Sequence, residues 1–220
     1  MTEEIRQKLT GAVIGLARTC ENNEKTESTN RVFLEALTMA GDWSASIFDM
    51  SEMLEKARKY EDEQGKQIKA EDRPVFHVSP YVGWMNDPNG FSYYQGEYHL
   101  FYQYYPYDTH WNSMHWGHVV SKDLLHWKYL PAALAPDEDY DKIGCFSGSA
   151  IELEDGRQLL LYTAVDQETM EDGTVRDIQT QAVAVGDGKD YKKYEKNPVL
   201  TAKDLPEGAS KVDFRDPKIW

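Results

Sequence analysis

The period of the apolar residues changes once along this chain, near residue 74, and that change restricts the fold more than any other feature. Before it, Ile5, Leu9, Val13, Leu16 and Cys20 recur at helical spacing. A second run begins at the start signal Ser28/Thr29, carries Val32, Phe33, Leu37 and Ala40, and stops at Gly41. A third is expected from about Ser44, with Ile47, Met50, Leu54 and Ala57 on one face. Tyr60 to Arg73 is charged and polar, which reads as a helix end followed by a linker.

From Pro74 onward the helical period is gone. Five of the six Trp lie here, and turn dipeptides arrive often: Asn89-Gly90, Gln95-Gly96, Asp155-Gly156, Asp172-Gly173 and Asp187-Gly188. Between them sit β-rich runs at Glu97–Tyr104, Ser147–Leu153, Gln158–Val165 and Ile178–Val185. The second and third of these, around Glu154-Asp155-Gly156, form an expected hairpin. Short antiparallel strands in this number fit a sandwich, a barrel or propeller blades, and no repeat of residue identities chooses among them.

A net charge of −14 with no basic stripe excludes nucleic acid as a partner, because that binding needs clustered Lys and Arg. No stretch has the length of a membrane span, so no membrane partner is expected. Met1-Thr2-Glu3-Glu4 lacks the basic patch and apolar run of a secretory signal, and a cytoplasmic protein is the expectation. Cys20 and Cys145 have no nearby Cys; they read as two reduced thiols, with one disulfide between them as the alternative.

Two Asp-Pro pairs stand out chemically. In Trp84-Met85-Asn86-Asp87-Pro88-Asn89-Gly90 the proline biases Asp87 towards extended backbone, and Asn89-Gly90 is expected to turn the chain back. In Phe214-Arg215-Asp216-Pro217 the neighbouring Arg215 favours an ionised Asp216. Carboxylates in an aromatic-rich β region fit glycoside chemistry, where such groups flank the scissile bond. His115 and His118 are three apart, which does not put both on one strand face, so they read as packing residues and no metal is expected. The acidic run Asp137 to Asp141 lacks calcium-loop spacing and reads as a solvated loop.

The segment Trp84–Gly90 resembles the signature of glycoside hydrolase family 32, the invertases and sucrose-6-phosphate hydrolases. Further segments match in the same order: Phe101-Tyr102-Gln103-Tyr104, His115-Trp116-Gly117-His118, Ser121-Lys122-Asp123-Leu124, Phe146-Ser147-Gly148-Ser149-Ala150 and Phe214-Arg215-Asp216-Pro217. The small α-helical N-terminal region with its linker at 1–73, read from the helical period, is not a usual part of that family, and the chain as a whole is expected to be mainly β. The resemblance spans about residues 75–220 and implies a partial five-bladed β-propeller (first blades only) at 74–220. It implies retaining hydrolysis of terminal β-fructofuranosides such as sucrose, sucrose 6-phosphate or short fructans, without a cofactor. Asp87 would be the nucleophile and Asp216 the transition-state stabiliser. Trp84, Met85, Asn86, Gln103, Trp111, Phe146, Ser147 and Arg215 would line the fructose pocket.

The family's general acid, a Glu normally followed by Cys, lies well downstream of Arg-Asp-Pro, whereas this sequence stops four residues after Asp216. A truncated piece or one half of a split gene, inactive alone, is therefore the expectation. Two other readings stay open on the residues: an inverting arabinosidase or xylosidase of a related propeller family, and a non-catalytic sugar-binding or interaction module.

Overall fold

The computed structural model describes residues 50–219. The first two helical runs, with Cys20, lie outside those residues. Of the third run, the helix α1 spans Glu52–Gly65. It begins later than the expected Ser44 because Ser51 caps it: Ser51 is extended (φ −62°, ψ 150°) and its hydroxyl accepts the Leu54 N–H at 3.1 Å. Met50 therefore precedes the helix and is exposed. Leu54, Ala57, Glu61 and Gly65 form the buried stripe. A single 3-10 turn, Ala70–Asp72, leads to the strands.

Eight strands follow: β1 (Trp84–Tyr94), β2 (Glu97–Tyr105), β3 (His115–Ser121), β4 (Trp127–Leu134), β5 (Gly144–Glu152), β6 (Gln158–Thr169), β7 (Val175–Gly186) and β8 (Tyr191–Lys193). They make two antiparallel four-stranded meanders, β1-β2-β3-β4 and β5-β6-β7-β8. Four of the five expected turn dipeptides join neighbouring strands, and the β5–β6 hairpin forms around Asp155-Gly156 as expected.

Asn89-Gly90 does not turn the chain. Both residues lie inside β1, where the register with β2 slips between Met85 and Pro88 and again between Asn89 and Ser92. Gly90 supplies φ +51°, so the segment absorbs the slip as a bulge and β1 continues to Tyr94.

The sheets pack face to face on Phe101, Trp116, Leu134, Leu160, Tyr162 and Tyr191, interleaved with Ala133, Ala150, Ala164, Ala182 and Ala184. The alanines leave room for the large rings, which is how mixed sizes reach close packing. The outer face of the first sheet is covered around Leu54 of α1, Val82, Tyr102 and Tyr104. Edge strand β4 is shielded as well: Glu61 Oε1 accepts the Ala132 N–H at 2.8 Å, and Arg58 Nε donates to the Ala132 carbonyl at 2.9 Å. Arg58 also reaches the turn before β8, pairing with Asp190 at 2.5 Å, so α1 ties the two sheets together.

The run Asp137–Asp141 is a solvated loop only at Glu138 and Asp139. Asp141 is fully buried and pairs with Lys193 of β8 at 2.6 Å, while Asp137 accepts from Lys193 and from Ser51. The buried ammonium explains why these carboxylates can enter the sheet junction. Among the described residues no helix is long and apolar enough to cross a membrane.

Candidate active site

The bulge in β1 lifts Asp87 out of the ladder. Asp87 and Pro88 are exposed, whereas Asn89 and Gly90 are buried. A Cβ on Gly90 would stand 2.7 Å from the Phe101 ring, so only glycine lets the strand settle here on the inter-sheet core. Trp84 Nε1 donates to Asn86 Oδ1 at 2.8 Å, fixing the amide that precedes Asp87.

The second sheet answers with a bulge of its own, between Phe146 and Gly148 of β5. Ser147, the extra residue, donates its hydroxyl to Asp87 Oδ2 at 3.1 Å. Two side chains of the first sheet hold the backbone just before that point. Gln103 Nε2 donates to the Cys145 carbonyl at 2.9 Å, and Trp116 Nε1 to the Phe146 carbonyl at 3.1 Å. Trp111 is half exposed and stands edge-on to Phe146, with ring centroids 6.0 Å apart. An exposed indole offers an apolar plate for a sugar face.

Asp216 lies on an irregular segment that follows the second sheet. Its φ is +60°, a left-handed conformation that costs a non-glycine residue about 1–3 kcal/mol. Its N–H is donated to the buried Thr163 hydroxyl at 2.9 Å, and its own carboxylate is exposed. Arg215 lies 3.8 Å from that carboxylate but makes its short bond, 2.6 Å, to Asp213. The bond to Asp213 holds the Arg215 guanidinium above its usual range.

Asn86, Asp87, Ser147, Phe146, Trp111, Trp84 and Gln103 are thus linked by direct contacts or by the backbone between them. Met85 is not among them; it packs on the opposite side against the cluster of Leu54 and Tyr104. His115 and His118 are buried packing residues, as expected. His118 stacks on Phe101 and shares a bond of 3.0 Å with His99. Burial pushes the His115 imidazole down to about 4 and lowers His99 and His118. Among the described residues no cluster of three His, Cys, Asp or Glu is placed to hold a metal.

Sequence reasoning missed the side chains that seat the Asp216 segment. Gln179 accepts the Phe214 N–H, Gln181 donates to the Phe214 carbonyl, and Ser149 bonds both Pro217 and Ile219. The available signal was a set of polar residues inside apolar strand runs, Thr163 in Leu159–Val165 above all.

Residues 77–220 match the glycosyl hydrolases family 32 N-terminal domain. The chain belongs to glycoside hydrolase family 32. It is 43% identical over 169 residues to a sucrose-6-phosphate hydrolase of Zymomonas mobilis, covering 75% of this chain and 31% of that protein. It is 44% identical over 155 residues to a levanase of Bacillus subtilis, covering 67% and 21%. Its fold is similar to that of the Bombyx mori GH32 β-fructofuranosidase, with a TM-score of 0.64 and 46% identity over 76% of this chain and 33% of that one. The chain spans about a third or less of the length of these relatives.

Proposed function

We propose that this chain carries the nucleophile half of a retaining β-fructofuranosidase site, on the first two blades of a five-bladed propeller. The observation that carries the reading is the exposed Asp87 carboxylate, raised on one bulge and met by the Ser147 hydroxyl from another. A nucleophilic carboxylate must be ionised, accessible and oriented. One hydroxyl donor leaves the second oxygen open to attack the anomeric carbon of a fructosyl group. The bond to the leaving sugar breaks as the carboxylate bond forms, giving a fructosyl-enzyme that water then hydrolyses.

Asp216 stabilises the oxocarbenium-like transition state by accepting from fructose hydroxyls. Asn86, Gln103, Trp84, Trp111, Phe146, Ser147 and Arg215 shape the pocket, and Met85 supports it from behind. The general acid, which in a retaining pair stands about 5–5.5 Å from the nucleophile, is not among the residues assigned here. Sucrose and its 6-phosphate are the favoured substrates, with short fructans next, since the relatives include a sucrose-6-phosphate hydrolase and a levanase. A cytoplasmic setting belongs to the same reading: Cys145 is a buried free thiol and needs no oxidising compartment.

The test is fructose release from sucrose by the purified chain beside its Asp87→Asn variant. Release that vanishes in the variant establishes the nucleophile. Release that persists in it sinks the assignment. If neither releases fructose, sucrose binding decides, and equal binding by both with no turnover favours a sugar-binding module.

A further inference from the structure

Thr163 is a hydroxyl fully buried in the middle of β6, with Leu159–Tyr162 before it and Ala164 and Val165 after it. A buried hydroxyl in such a run has to be paired, and the partners are informative. Thr163 stands opposite Phe146 of β5 and Gln181 of β7. On the β5 side the ladder slips, leaving Ser147 as the extra residue with its backbone outside the regular pairing. Thr163 Oγ1 donates to that freed Ser147 carbonyl at 3.1 Å. The same oxygen accepts the Asp216 N–H at 2.9 Å.

One hydroxyl therefore joins the residue that bonds Asp87 to the residue whose left-handed backbone presents the second carboxylate. The remaining ties of the segment end on Phe214, Pro217 and Ile219 and do not touch Asp216. Gly148, just past the bulge, lies tight against β6: a Cβ there would stand 2.0 Å from the Leu161 carbonyl oxygen.

We propose that Thr163 is a positioning residue that sets the Ser147 bulge and the Asp216 backbone together, and so fixes the relative placement of the two Asp-Pro carboxylates. The proposal rests on the reading of Asp87 and Asp216 as the reacting and stabilising groups. Thr163 itself touches no substrate. Valine in its place keeps the β-branched shape but neither donates nor accepts, releasing both tethers, whereas serine keeps the hydroxyl.

Amide hydrogen exchange and fructose titration, followed by tryptophan fluorescence, are measured on the whole 220-residue chain and its variants. Thr163→Val is expected to speed exchange at Asp216 by about tenfold while Phe214 and Ile219 stay protected by Gln179 and Ser149. Fructose affinity is expected to fall about fivefold, and Thr163→Ser to retain both properties. Unchanged exchange at Asp216, or faster exchange with unchanged fructose affinity, overturns the proposal. Asp216→Asn separates the two levels. If that variant binds fructose as the parent does, or if the parent binds none, the functional reading fails, while the exchange at Asp216 still decides the tether. Should Thr163→Val lose its near-ultraviolet dichroism, Thr163→Ala against Thr163→Ser carries the same decision.

Discussion

Two groups of aspartates in this protein are treated in opposite ways. Asp137 and Asp141 are drawn inward onto Lys193, which also donates to the Ala135 carbonyl at 2.7 Å, and Tyr162 adds a bond of 2.8 Å to Asp141. Asp87 and Asp216 are left exposed, the first with a single hydroxyl donor and the second with its carboxylate barely within reach of Arg215. Burial demands that each charge be matched, so the inner pair is saturated and has nothing to offer a ligand. The outer pair keeps lone pairs free. Sign and residue type are the same in both groups. Solvation separates a brace from a candidate site.

The hardest test of that comparison is Lys193→Met. It strips the buried cation from Asp137 and Asp141, and we expect a loss of about 3–5 kcal/mol in chemical denaturation. A loss under about 1 kcal/mol would mean that the inner aspartates are no more braced than the outer ones.

A second test uses pH on the buried ionisable groups of the first sheet and its helix. Burial pushes the Glu61 carboxyl up to about 7 and the His115 imidazole down to about 4. Folded Glu61 holds its proton above the pH at which the unfolded chain releases it, so its contribution falls as pH rises from about 4.5 to 7. His115 works the other way: the unfolded chain binds the extra proton, so its contribution rises with pH from about 4 to 6.5. The two slopes oppose one another. Glu61→Gln is therefore expected to uncover a stability that climbs by up to about 3 kcal/mol between pH 4 and 6.5, measured by urea denaturation. A flat profile in that variant would show that none of His99, His115 and His118 is buried in the neutral form.

Arg58→Met comes next in size. It removes the Asp190 pair and the donor to Ala132, for an expected cost of about 1–3 kcal/mol, because the carbonyl it satisfied is buried. Asp87→Asn should be the smallest, within about 0.5 kcal/mol of the parent in the same measurement, since the carboxylate is exposed. A large loss from Asp87→Asn would move Asp87 into the bracing class and weaken its assignment as nucleophile.

Much of this protein could be read before any coordinates. Alternating strand runs and glycine turns located the β5–β6 hairpin and the runs Glu97–Tyr104 and Ile178–Val185 inside β2 and β7, because these depend on side-chain period and local backbone freedom. The motif segments supplied the candidate site residues, several of which the structure brings together. Other outcomes depended on residues distant in the chain. Asn89-Gly90 has the local chemistry of a turn, yet pairing with β2 and packing against Phe101 make it a bulge inside a strand. Asp137 and Asp141 look solvated until Lys193, more than fifty residues away, arrives to pair with both. Thr163 is one polar residue in an apolar run until Ser147 and Asp216 both reach its hydroxyl. Sequence alone determined where this chain can extend and turn. Only the packed sheets decided which polar groups meet, because a buried charge or hydroxyl takes its partner from whatever strand lies opposite.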